Sequence, residues 1–128
     1  MEVKLFWLLC MIWLHIFDDY VLQGLLGTMK QKKWWEDNYP QDLYKNDYKI
    51  ALFTHAFSWT FSIMIIPFII GMLNENVTWL YYIIFIINWF IHAFIDDLKA
   101  NKFKINLIID QLTHIGQIIT TWVILLAL

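Results

Sequence analysis

Three residue pairs in this 128-residue sequence are spaced to grip a metal ion: His15 with Asp19, His92 with Asp96, and Asp110 with His114. Residues four apart lie on one face of a helix, one turn from each other, so their donor atoms converge. The same spacing lets the two histidines of an H-E-x-x-H helix hold zinc. Here the partner of each imidazole is a carboxylate. His55 stands alone on another segment and completes the set of 4 histidines. Four imidazoles and three carboxylates exceed one tetrahedral site. They suit two divalent ions with an open position, or one ion whose ligands are oriented by the remaining groups, and zinc is the ion expected.

Asp18 and Asp97 adjoin the paired acids and are candidates for the base that takes a proton from metal-activated water. Gln23 lies one turn beyond Asp19, Asn88 one turn before His92, Gln111 beside Asp110, and Gln117 three residues after His114. These amides are placed to orient ligands or substrate, or to bond across helices. Lys99 follows Asp96 by three residues. It is placed to meet an anionic group at the mouth of the site, or to snorkel to the interface. No Ser-His-Asp order, P-loop or glycine-rich phosphate cradle occurs, and none of the 4 glycines stands in such a motif.

The elements that must position these groups are membrane spans. With 60% hydrophobic and 19% aromatic residues, a chain this small cannot hide its apolar side chains in one core, so the excess must face lipid. Four apolar runs, at about 5–27, 50–73, 77–98 and 105–128, are each long enough to cross a hydrocarbon core of roughly 30 Å. The predicted fold is therefore all-α, a polytopic bundle of four transmembrane helices in a single domain, 1–128. Residues 30–49 mix lysines and acids with Trp34, Trp35, Tyr39, Tyr44 and Tyr48, an amphipathic composition suited to the headgroup region. Pro67 interrupts the second run, where neighbouring helices can accommodate it. A cleaved signal peptide is disfavoured, because Glu2 offsets Lys4 and aspartates stand where small residues should precede a cleavage site. Cys10, the single cysteine, has no internal disulfide partner and is read as packing or lipid contact.

All 9 basic residues are lysines, and only Lys4 lies on the side of the bundle opposite the rest. The positive-inside rule puts the lysine-rich side in the cytoplasm and both termini outside it, in a bacterial cytoplasmic membrane. Net charge is −2 and no broad basic face exists, which excludes nucleic acid as the expected partner. Each charge at mid-membrane costs roughly 2.5–3.5 kcal/mol on insertion scales, so the intramembrane aspartates require a compensating interaction. Threading the spans antiparallel brings the pairs and His55 into one layer of the cytoplasmic half.

The leading expectation is a metal-dependent membrane hydrolase whose lipid-linked or phosphorylated substrate arrives laterally or from the cytoplasm. Cation or proton transport is the first alternative, and four spans are few enough that it would need a homo-oligomer. A b-type haem bundle using histidine pairs is another, disfavoured by the aspartates. A structural or regulatory phage membrane protein, with a polar core that only sets the packing, is the last.

The motif order H-x3-D-x2-L-Q (His15, Asp19, Leu22, Gln23), a lone histidine (His55), H-x3-D-x2-K (His92, Asp96, Lys99) and D-Q-x2-H (Asp110, Gln111, His114) resembles a family of small membrane proteins of bacteria and their phages that has no assigned activity. The resemblance covers most of the chain and implies a shared polar site. A looser similarity, to membrane-bound metal-dependent hydrolases with intramembrane histidines and aspartates, is an analogy of site type.

Overall fold

The computed structural model describes residues 2–128. Helix α1 covers Glu2–Phe17 and continues as a π-helical turn over Asp18–Leu22. Two short helices, α2 (Leu26–Met29) and α3 (Lys32–Asn38), and a 3-10 turn at Asp42–Tyr44 lead into α4 (Asp47–Leu73). Helices α5 (Trp79–Ala100) and α6 (Leu107–Leu126) complete an all-helical chain with no strand among the described residues. Four segments are long and apolar enough to cross a membrane: Val3–Leu22, Asp42–Leu73, Trp79–Ala100 and Leu107–Leu126.

The first span ends earlier than its hydropathy suggests. Gly24 adopts φ +43, a left-handed conformation that costs a glycine little and breaks the rod before the expected end at Gly27. The chain then folds back through α2. The expected interfacial segment is a knot of short helices in which Trp34, Trp35, Tyr39 and Tyr44 pack ring against ring at 5.0–6.4 Å. The Trp35 indole anchors it by donating to the Met29 carbonyl at 2.7 Å. Asn101 joins this knot to the α5–α6 connection, accepting from the Lys32 amide at 2.7 Å and donating to the Lys30 carbonyl at 3.1 Å.

Helix α4 packs on α1 and α5, and α6 closes the ring between α5 and α1. The inward residues of α6, namely Asp110, His114, Ile118, Thr121 and Leu125, recur every three to four positions, as one face of a helix must. Asn106 starts this helix by accepting from the Ile109 amide at 2.9 Å, which satisfies one of the free N–H groups of its first turn. Polarity is inverted relative to a water-soluble domain. Phe61, Ile86, Ile87, Phe90, Leu112 and Val123 are exposed, while all four histidines and Asp18, Asp19, Asp96 and Asp110 are buried. An apolar exterior around an ionisable interior is the arrangement that a bilayer demands.

Candidate metal centre

The cluster lies where α1, α4, α5 and α6 meet in the lysine-rich half of the bundle. His55, near the start of α4, is its hub. Its Nε2 stands 3.4 Å from Asp19 Oδ1, 3.3 Å from Asp96 Oδ2 and 3.3 Å from His92 Nε2. His114 Nε2 stands 3.4 Å from Asp96 Oδ1 and 3.4 Å from Asp110 Oδ1. The two oxygens of Asp96 thus face different histidines. Two groups of three result, Asp19–His55–His92 and His92–Asp96–His114, each with ligand atoms within 4.8 Å of one another. These buried groups could hold a metal ion.

The spacing suits ion ligation, while the His55–His92 contact at 3.3 Å also lies within hydrogen-bond reach. Charge-assisted N–H···O bonds close to about 2.7–2.9 Å. The lysines of this site behave so: Lys30 Nζ donates to Asp96 Oδ2 at 2.5 Å and Lys99 Nζ to Asp110 Oδ2 at 2.7 Å. The imidazole–carboxylate distances are longer. Ligands at roughly 2.0–2.1 Å from a tetrahedral ion stand about 3.3–3.4 Å from each other, which is the separation found around His55 and His114. The His92 Nε2 to Asp96 Oδ2 distance, 3.8 Å, is wider. Asp19 Oδ1, Asp110 Oδ1 and both nitrogens of His114 are buried without a hydrogen-bond partner. Buried polar atoms are nearly always satisfied, and of these Asp19 Oδ1, Asp110 Oδ1 and His114 Nε2 face into the cluster, where a cation could serve them.

The surrounding groups hold the donors in place. Trp59, one turn after His55, stacks on His92 with ring centroids 4.1 Å apart, and His92 stacks in turn on His114 at 4.2 Å. Gln111 is tied on both ends of its amide. Its Nε2 donates to Asp19 Oδ2 at 3.1 Å and Asp110 Oδ2 at 3.2 Å, and its Oε1 lies 3.2 Å from His15 Nε2. Gln23 donates to the Asp19 carbonyl one turn back. Such partners orient metal ligands and fix their tautomers.

Not every residue expected as a ligand or base falls into that role. The Trp59 indole donates to His15 Nδ1 at 2.6 Å, which leaves Nε2 as the protonated nitrogen facing Gln111 Oε1. Both His15 nitrogens are thereby engaged, and His15, like Asp110, belongs to neither group of three. It is a brace beneath His114, with ring centroids 5.8 Å apart. Asp18 accepts from Ser58 at 2.7 Å and Ser62 at 3.1 Å, and its other oxygen lies 3.8 Å from His55 Nδ1. It stands behind the hub histidine rather than in front of it. Asp97 is not in the cluster; its carboxylate pairs with Lys102 at 2.9 Å and accepts from Asn101 at 2.9 Å, because an α-helix turns it away from Asp96. Asn88 lies one layer deeper, where its oxygen accepts from Gln117 at 2.8 Å and Thr121 at 3.0 Å. That network bonds α5 to α6 and reaches no ligand.

Three contributors escape the four-residue pattern: Trp59, the serines behind Asp18, and Lys30. The position of Trp59 one turn from His55 was the readable signal, since it puts both on one face of α4. Comparison with protein-family models, with curated proteins and with solved structures found no match.

Proposed function

We propose that this chain is an integral protein of a bacterial cytoplasmic membrane that binds one or two divalent ions, of the zinc type, and uses them for hydrolysis. The observation that carries this reading is the set of imidazole and carboxylate atoms held at 3.3–3.4 Å around His55 and His114. Asp19, His55 and His92 form one ligand set and His92, Asp96 and His114 a second, with Asp96 reaching toward His55 through Oδ2 and Asp110 flanking His114 through Oδ1. A bound ion of this type lowers the pKa of a coordinated water toward neutrality and polarises the bond under attack. Asp18 lies behind the His55 ring, 3.8 Å from Nδ1, and Gln111 bonds both Asp19 and Asp110, which limits how far those ligands reorganise. The lysines concentrated near the cluster support a cytoplasmic setting for that half, with the 74–76 turn and both termini on the far side.

Hydrolysis is favoured over conduction by what lies above the site. Met11, Ile63, Met64 and Ile118, all fully buried, fill the layer that follows His15, Trp59 and His114 along their helices. Such packing supports a chamber reached from one side. A porphyrin is disfavoured by the same closeness, since the rings of Trp59, His92 and His114 pack together with centroids 4.1, 4.2 and 5.4 Å apart.

The test is elemental analysis of protein purified in detergent without chelator, then reloaded with zinc, manganese or iron. One or two ions per chain are expected in wild type, with loss in His92→Ala while helicity by circular dichroism persists. A wild-type protein that takes up no stoichiometric ion under any loading condition overturns the reading. Loaded protein is further expected to cleave 4-nitrophenyl esters in a chelator-sensitive way.

A further inference from the structure

We infer that the cavity beside the cluster is the binding site for the phosphate group of an amphiphile, held by Lys30 and Lys99. This rests on the metal reading above and adds the chemistry of what the site takes. The cavity measures about 530 Å³ and is lined by Tyr20, Gln23, Gly27, Lys30, Lys99 and Phe103, among others. It shares a wall with the cluster, because the two ammonium groups that line it are the ones reaching Asp96 Oδ2 at 2.5 Å and Asp110 Oδ2 at 2.7 Å.

Charge balance says what those ammonium groups do when ions are present. Four buried aspartates, Asp18, Asp19, Asp96 and Asp110, face two lysines, leaving two negative charges with the histidines neutral as ligands. One divalent ion cancels these, and a second leaves two positive charges in a medium where unpaired charge is costly. Metal coordination of Asp96 and Asp110 also draws carboxylate charge away from the two lysines. A ligand with two negative charges and several acceptor oxygens, such as a phosphate monoester, restores neutrality and gives each ammonium a charge-assisted bond.

The walls indicate the rest of the molecule. Tyr20, Val21 and Phe103 line the cavity and are well exposed, and Leu22 and Leu25 beside them are exposed too. All but Phe103, which lies in the α5–α6 connection, sit at the end of the first span, where Gly24 turns the chain. An opening bordered by exposed apolar side chains at that depth admits an acyl or prenyl tail from the bilayer while the headgroup meets the lysines. Lys30 itself is largely shielded, with 12% of its side chain exposed, which places its charge inside the chamber rather than in bulk water.

The test uses the full chain in detergent, loaded with the metal that elemental analysis identifies, and inorganic phosphate as the probe. Phosphate binding by calorimetry is expected in loaded protein, and K30Q/K99Q is expected to weaken it at least about tenfold per bound ion, from the loss of two charge-assisted bonds. Phosphate affinity in K30Q/K99Q equal to wild type at equal metal content overturns the inference while leaving the metal reading intact. Failure of wild type to load metal overturns both. Nanodiscs containing phosphatidic acid are expected to displace the phosphate, and glycerol 3-phosphate to do so only weakly; the reverse order overturns the amphiphile assignment and points to a soluble phosphate ester.

Discussion

In the lysine-rich half of the bundle the helices meet through imidazole, carboxylate and ammonium groups, and in the other half mainly through Met11, Ile63, Met64 and Ile118, with one hydrogen-bonded network from Asn88 to Gln117 and Thr121 between α5 and α6. Both layers sit behind the same exterior of exposed aliphatic and aromatic side chains. In the bilayer proposed for this chain, where lipid tails are as apolar as a leucine, burying the apolar side chains of the second layer gains only packing, without the transfer from water that drives soluble folding. Burying the first layer gains electrostatic pairing and loses hydration, and each member depends on the others being present. One layer is therefore tolerant and local in its failures, and the other cooperative.

That contrast is sharpest at Asp96, which touches His55, His114 and Lys30. Asp96→Ala removes the carboxylate between the two ligand groups and leaves a shielded ammonium without its partner, a change worth about 3–5 kcal/mol in destabilisation. Bound metal is expected to fall below one ion per chain, and the thermal midpoint in detergent to drop. Asp96→Asn, which keeps the shape, separates the two effects. Wild-type metal content in Asp96→Ala would sink the shared-carboxylate arrangement. Asp18→Asn acts one step back, through His55 Nδ1, and is expected to weaken metal affinity about 10–100-fold with little change in fold. Competition against a chromophoric chelator measures it.

The spans were legible because hydrophobic length is set by bilayer thickness, and the pairs because helix geometry makes residues four apart neighbours. His92–Asp96 and Asp110–His114 occupy the cluster as their spacing implied. His15 was less legible, because nothing in its spacing reveals that Trp59 would claim its Nδ1. Asp18 and Asp97 looked equivalent in sequence, each beside a paired acid. They differ because Asp18 opens a π-helical turn, with the Gln23 amide bonding back to the Asp18 carbonyl at 2.9 Å. The wider turn narrows the angle between successive side chains and lets Asp18 and Asp19 both point inward. Lys30 was hidden for another reason: its approach depends on the positive φ of Gly24, which composition does not fix.

In the apolar layer, Ile63→Ala is expected to cost about 1–2 kcal/mol, below the usual 2–5 of a soluble core, because the unfolded reference in detergent or lipid already shields the side chain. Metal content should not change. Reversible unfolding in mixed micelles reads the first quantity and elemental analysis the second. A loss of metal in Ile63→Ala would mean that the two layers are coupled through α4 and that the tolerant half is not independent.

The smallest effect is expected at the residue whose neighbour has the largest. Asp97 differs from Asp96 by one position, yet its side chain is partly exposed and paired with Lys102, itself about half exposed. An exposed pair of this kind contributes about 0–1 kcal/mol, and Asn101, its other partner, also bonds the Lys30 carbonyl. Asp97→Asn should therefore change stability by no more than about 0.5 kcal/mol and leave metal stoichiometry and phosphate affinity at wild-type values. If Asp97→Asn instead weakens metal binding as much as Asp18→Asn does, the carboxylate on the outer face reaches the centre through Asn101 and Lys30. The boundary of the functional layer then lies one helical turn further toward the lysine-rich end than the distances around His55 place it.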